Sequence, residues 1–149
     1  MFSGVDGSVL FNVDGAAAND SFGFSVSEVG DVDGDGVFDL IVGAPSQFGL
    51  GLTGSSSARV ISGTDGSTIY TLVGDDDGDN FGASVSGAGD VNGDGIADFI
   101  VGAPSSDGSG YARVFVSQIV GVPEPGSATL LAMTALVTVC RRRRSNVSM

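Results

Sequence analysis

The chain repeats itself. Ser3 to Ser46 lies over Ser62 to Ser105 without a gap, offset by 59 residues, and 25 of the 44 aligned pairs are identical. A match of this length means two copies of one structural unit, and whatever fold the chain adopts must be built by repeating that unit. The identities concentrate in GFSVSEVGDVDGDGVFDLIVGAP (Gly23 to Pro45) and GASVSGAGDVNGDGIADFIVGAP (Gly82 to Pro104). One element recurs outside this alignment, since Ala112-Arg113-Val114-Phe115 echoes Ala58-Arg59-Val60-Ile61.

Each unit reads as short strands and turns. Phe22 to Val29 and Phe81 to Ala88 alternate apolar residues with small or polar ones, the pattern of a strand with two distinct faces. Asp39 to Val42 and Asp98 to Val101 are apolar runs closed by Gly-Ala-Pro, which predicts strands buried on both faces. Ser57 to Ser62 and Gly110 to Ser117 give a third strand type, and Ser67 to Val73, with Ser8 to Val13 as its counterpart, a fourth. No helical periodicity precedes the tail. The expected fold is therefore all-β: antiparallel four-stranded blades of a β-propeller, with residues 22 to 73 as one blade and 81 to 117 as three strands of a second. Ser8 to Val13 would be the last strand of a preceding blade. About two blades cannot close a ring that needs at least about four.

The loops carry the chemistry. Asp31, Asp33, Asp35 and Asp39 stand at positions 1, 3, 5 and 9 of one loop, and Asp90, Asn92, Asp94 and Asp98 at the same positions of the other. The carbonyl of Val37 or Ile96, at position 7, can add a fifth oxygen. Glycines between them allow the positive φ angles that wrap a chain around one ion, and hard oxygen donors favour calcium. An EF-hand would need a bidentate Glu at position 12, where Val42 and Val101 stand. The loops are thus expected to be calcium hairpins between strands, two sites in all, the second weaker because Asn92 replaces a carboxylate. Solvated Asp-Gly turns need no metal. Four carboxylates crowded into the first loop argue against that simpler account, because without a cation they repel. Asp75 to Asp79 has no counterpart in the first copy except Asp20, and is expected to be an exposed charged turn; Asp20 and Asp79 should cap turns.

Composition removes other classes. Net charge is −12, and residues 1 to 121 hold 17 acids against only Arg59 and Arg113. Such a surface repels phosphates, so nucleic acid is excluded as a partner. The chain has no histidine and one cysteine, Cys140, which excludes thiolate or imidazole metal sites and a disulfide within one chain. With no His or Lys to act as base or electrophile, and most aspartates repeated between copies, the chain is expected not to be an enzyme.

Phe22-Gly23 with Val42-Gly43-Ala44-Pro45, and Phe81-Gly82 with Val101-Gly102-Ala103-Pro104, enclose these loops and resemble the FG-GAP repeats of integrin alpha-subunit propellers and their bacterial relatives. The resemblance covers about residues 1 to 117. It implies calcium at Asp31, Asp33, Asp35, the Val37 carbonyl and Asp39, and again at Asp90, Asn92, Asp94, the Ile96 carbonyl and Asp98. It also implies blades of a seven-bladed propeller that contacts protein or glycan.

A linker, residues 118 to 125, leads to a C-terminal segment, 126 to 149. Pro123-Glu124-Pro125 is followed by a largely apolar stretch, Gly126 to Cys140, expected to be helical, and by Arg141, Arg142, Arg143 and Arg144. The stretch is short for a bilayer that takes about 20 residues, but the arginines would hold its end on the cytoplasmic side. This order resembles the PEP-CTERM sorting signal of bacterial surface proteins. It implies export, transient retention in the cytoplasmic membrane and cleavage near Pro123-Glu124-Pro125 by an exosortase-type enzyme. Met1-Phe2-Ser3-Gly4 aligns with Val60-Ile61-Ser62-Gly63, so the start is expected to fall inside a blade, with an export signal and further blades upstream. The resulting expectation is a calcium-binding scaffold at the cell surface or in the matrix that binds an extracellular protein or glycan. The alternative is an accessory piece of a larger surface enzyme.

Overall fold

A computed structural model describes residues 1, 3–45, 56–76, 78–105 and 109–118. Seven strands form two antiparallel sheets in simple meander order. The first contains β1 (Ser25–Gly30), β2 (Asp39–Ala44), β3 (Ser57–Ile61) and β4 (Thr68–Val73), and the second β5 (Ser84–Gly89), β6 (Asp98–Ala103) and β7 (Tyr111–Phe115). The repeat in sequence is a repeat in register: Val26 pairs with Val42 as Val85 pairs with Val101, and both inner ladders slip at the same place, before Gly30 and before Gly89. These sheets are blades of the propeller type, each strand neighbouring the next in the chain.

The core lies between the blades. Val29, Ile41, Ala58, Val60 and Leu72 of the first sheet pack against Phe81, in the turn that leads into β5, and against Phe99, Val101 and Phe115 of the second sheet. Phe99 stacks on Phe115 at 5.5 Å between ring centres, and Phe81 meets Phe115 edge-on at 6.2 Å. Each such side chain contributes about 1.5 to 3 kcal/mol when fully buried, so one blade is stabilised largely through its neighbour. β2 and β6 are buried over most of both faces, as their apolar runs predict.

Three expected strands differ in extent. Phe22 to Phe24 and Phe81 to Ala83 form turns rather than strand, because Ser21, Gly23, Asn80 and Gly82 all take positive φ. Ser8 to Val13 makes a single bridge at Val9 instead of a strand. Its turn copies that of β3 and β4: Ser3 N–H donates to the Ser8 carbonyl and Gly7 N–H to the Ser3 carbonyl, as Ser62 does to Ser67 and Gly66 to Ser62. The helix expected after Gly126 lies outside the described residues; among those described, no helix is long and apolar enough to cross a membrane.

Asp20 and Asp79 cap the turns before Phe22 and Phe81. Asp79 accepts N–H bonds from Asp75 and Phe81 and the Tyr111 hydroxyl at 2.7 Å. Burial pushes the Asp79 carboxyl up, but the Tyr111 hydroxyl and the backbone donors outweigh it and hold it below the usual range. Burial and that same carboxylate push the Tyr111 hydroxyl up to about 12. A depressed carboxyl adds stability that is complete above its unfolded value near pH 4 and is lost as pH falls through its folded value. Tyr111→Phe is expected to cost about 1 to 2 kcal/mol at neutral pH and to flatten the acid side of the stability profile. Denaturant unfolding at a series of pH values checks both.

Candidate metal centre

The two loops join β1 to β2 and β5 to β6, with the first and ninth residues placed at the strand ends. Asp31 folds its own loop around its carboxylate: Oδ1 accepts from Gly34 N–H at 2.6 Å and Asp35 N–H at 3.1 Å, and Oδ2 from Gly36 N–H at 2.9 Å. Asp90 does the same with Gly93, Asp94 and Gly95 at 2.6, 3.1 and 2.8 Å. Gly34, Gly36, Gly93 and Gly95 all have φ near +80°, within 81 to 87°, which brings successive N–H groups inward. These donors, led by Gly95 N–H, hold the Asp90 carboxyl below its ordinary value.

Asp39 and Asp98 have a second task. Asp39 is wholly buried, its Oδ2 accepting Val32 N–H at 2.9 Å and its Oδ1 Gly63 N–H at 3.0 Å, across from the β3–β4 turn. Asp98 accepts Val91 N–H and Ser117 N–H, both at 2.9 Å. Burial pushes the Asp39 carboxyl up against its two donors, and the charges of Asp33 and Asp35 push it further. Each of these aspartates ties its loop to the outer part of its own blade. Reading the sequence as a ligand list did not reveal this tie, although retention of aspartate at position 9 while position 3 changed was the available signal.

Carboxylate oxygens of Asp31, Asp33 and Asp39 converge within 4.8 Å of one another. Asp35 is turned differently, its Oδ1 accepting Val37 N–H at 2.7 Å and its Oδ2 the Thr64 hydroxyl at 2.5 Å. In the second loop, Asn92 Oδ1 accepts Asp94 N–H while its Nδ2 donates to Asp94 Oδ2 at 2.7 Å, and Asp94 Oδ1 accepts Ile96 N–H. The amide thus gives Asp94 a hydrogen bond that an ionised aspartate at the same position could not donate. The structure thereby brings Asp31, Asp33 and Asp39 together, keeps Asp35 beside them on Thr64, and builds the second loop from Asp90, Asp94, Asp98 and one amide. Val37 and Ile96 follow in each loop as N–H donors to Asp35 and Asp94.

Three close carboxylates with oxygen-only donors fit a hard divalent cation of calcium size, because Ca²⁺ takes six to eight oxygens and tolerates irregular geometry. Softer metals want nitrogen or sulfur, which neither loop offers. The order of elements is also distinctive: a Phe-Gly turn, a strand, the loop, a buried strand and then Gly-Ala-Pro. Residues 22–72 and 81–115 match the FG-GAP repeat. The chain belongs to the FG-GAP repeat family. No curated protein matches the chain. The two FG-GAP matches coincide with the two sheets, so each repeat is one blade, and in each the Phe-Gly turn packs its glycine against Gly-Ala of a strand, Gly23 N–H donating to the Gly43 carbonyl and Gly82 N–H to the Gly102 carbonyl, both at 3.1 Å.

The Pro123-Glu124-Pro125 motif and Arg141 to Arg144 lie outside the described residues.

Proposed function

We propose that this FG-GAP chain is a calcium-stiffened binding module of the cell surface or extracellular matrix, with one Ca²⁺ in each loop. The observation that carries the reading is the convergence of Asp31, Asp33 and Asp39 in a loop closed on its own backbone donors. In the first site these carboxylates would hold the ion, with Asp35 and the Val37 carbonyl completing it; in the second, Asp90, Asn92, Asp94, Asp98 and the Ile96 carbonyl would do so. The ion would neutralise crowded carboxylates and fix the β-hairpin that spans each loop. Rigid loops on a blade scaffold suit recognition of an extracellular protein or glycan, and the acidic body turns away nucleic acid. The role is binding and not catalysis.

Export and sorting belong to the same reading. The Pro-Glu-Pro motif, apolar stretch and arginine cluster support temporary retention in the cytoplasmic membrane and release by an exosortase-type enzyme.

Thermal unfolding of the full chain in calcium, magnesium and chelator tests the metal reading. Where calcium stands tenfold above its dissociation constant, each site adds about 1.4 kcal/mol, and two sites raise the midpoint by about 10 °C. Magnesium should give a small part of that shift. Equal midpoints in calcium and chelator would rule out the proposal.

A further inference from the structure

Asn12, Asn19, Asn80 and Asn146 precede Val, Asp, Phe and Val, and among the asparagines only Asn92 precedes a glycine, Gly93. The difference matters chemically. The backbone nitrogen that follows an asparagine can attack the side-chain amide carbon and close a five-membered imide, a reaction that a side chain on the following residue obstructs. Asn92 is exposed to water, and the space beside Gly93 is open, with nothing within 4 Å of where a side chain would stand. Asn80, by contrast, is buried, its amide donating to the Gly78 carbonyl at 3.1 Å.

The loop between β5 and β6 supplies what this closure needs. Gly93 N–H, whose proton must leave, donates to Asp90 Oδ1 at 2.6 Å. A carboxylate placed to take the proton of an attacking group accelerates such a step by about 10²-fold or more. That N–H bond lies in the plane of the peptide while the new bond forms from its face, so the two do not compete. Asn92 Oδ1, where negative charge gathers as the nitrogen attacks, accepts Asp94 N–H at 3.0 Å. A fixed backbone donor at that oxygen stabilises the developing oxyanion.

We infer that Asn92 is a site of spontaneous deamidation, through which the second loop acquires the carboxylate that the first already has in Asp33. The Gly93 nitrogen bonds to Asn92 Cγ as the Cγ–Nδ2 bond breaks, and the Gly93 proton, relayed by Asp90, leaves with Nδ2 as ammonia. Water then opens the imide. Cleavage of the new Cγ–N bond restores the backbone with an aspartate at position 92; cleavage at the main-chain carbonyl leaves an isoaspartate, with an extra methylene in the main chain. Asp33 shows that the first product fits, since its Oδ1 accepts Asp35 N–H at 3.1 Å as Asn92 Oδ1 accepts Asp94 N–H. That product gives up the bond from Nδ2 to Asp94 and sets two carboxylates side by side, an arrangement that a cation relieves. On the calcium reading proposed above, on which this consequence rests, the second site tightens irreversibly as the protein ages. Bound calcium, by engaging the oxygens of Asp90 and Asn92, slows the change.

Incubation of the full chain at mildly alkaline pH, in chelator and in calcium, followed by peptide mapping with mass spectrometry, tests the inference. In chelator the peptide holding position 92 is expected to gain the mass of amide-to-acid exchange about tenfold or more faster than those holding Asn12 or Asn19. Part of the product should co-elute with the same peptide from Asn92→Asp, the rest being isoaspartate. Calcium should slow the conversion, and Gly93→Ala should remove most of it, because the methyl obstructs the attack. Conversion of Asn12 or Asn19 as fast as Asn92 overturns the inference, as does an undiminished rate in Gly93→Ala. Equal rates in calcium and chelator would instead contradict calcium in that loop, with Asn92 still the reactive site.

Discussion

Asp39→Asn is expected to destabilise the first blade by about 2 to 3 kcal/mol in chelator as well as in calcium. Both carboxylate oxygens accept backbone N–H groups, from Val32 and Gly63, in a place closed to water. An amide presents one acceptor, so its NH₂ must face one of those two donors, and a buried donor without an acceptor is the costly outcome. The loss therefore persists with no metal bound. Asp98→Asn should behave alike through Val91 and Ser117. Asp33→Asn is the control, since Asp33 accepts the exposed Asp35 N–H at 3.1 Å, a bond that an amide oxygen can also accept. Guanidinium unfolding in chelator checks the set; an Asp39→Asn midpoint equal to that of the parent would show that the aspartate is a ligand alone.

Gly82→Ala is expected to cost more than about 3 kcal/mol, and Gly23→Ala only about 1 to 2. The two glycines share a repeat position and nearly the same φ, +86° and +91°, so the strain of putting an L-residue there is common to both. What differs is the neighbour. At Gly82 the new methyl would overlap the Ser57 carbonyl and press the Ala44 N at 3.2 Å, forcing the blades apart and opening the Phe81, Phe99 and Phe115 cluster; at Gly23 it meets nothing within 4 Å. Calorimetric unfolding of both variants reads the difference directly. Equal losses would mean that the joint between the blades does not run through Gly82.

Much of this architecture was legible because the repeat reports the same answer twice. Strand types, their order and the burial of β2 and β6 follow from apolar alternation and runs, and the loops announce themselves through aspartate and glycine at fixed spacing. The strand starts were misplaced at Phe22 and Phe81 because periodicity cannot see that Ser21 and Asn80, neither of them glycine, take positive φ under the capping aspartates. Ser8 to Val13 resembles β4 in side chains, but a strand needs a partner as well as a pattern. The blade joint was hidden for a different reason. Ser25 to Gly82 is a contact 57 residues apart that depends on a hydroxyl and on the absence of a side chain, and neither leaves a hydrophobic signature. Likewise, Thr64 reaching Asp35 and Gly63 reaching Asp39 link a loop to a turn that linear spacing does not connect.

The most direct measurement is a calorimetric titration of the full chain with calcium, beside the Asn92→Asp variant. Two binding events are expected, with dissociation constants of about 0.1 to 1 mM as in extracellular modules, the weaker of them tightened by Asn92→Asp because it gains a carboxylate in place of the amide that now holds Asp94. A folded chain that takes up no calcium, or one whose weaker site ignores Asn92→Asp, would contradict the account.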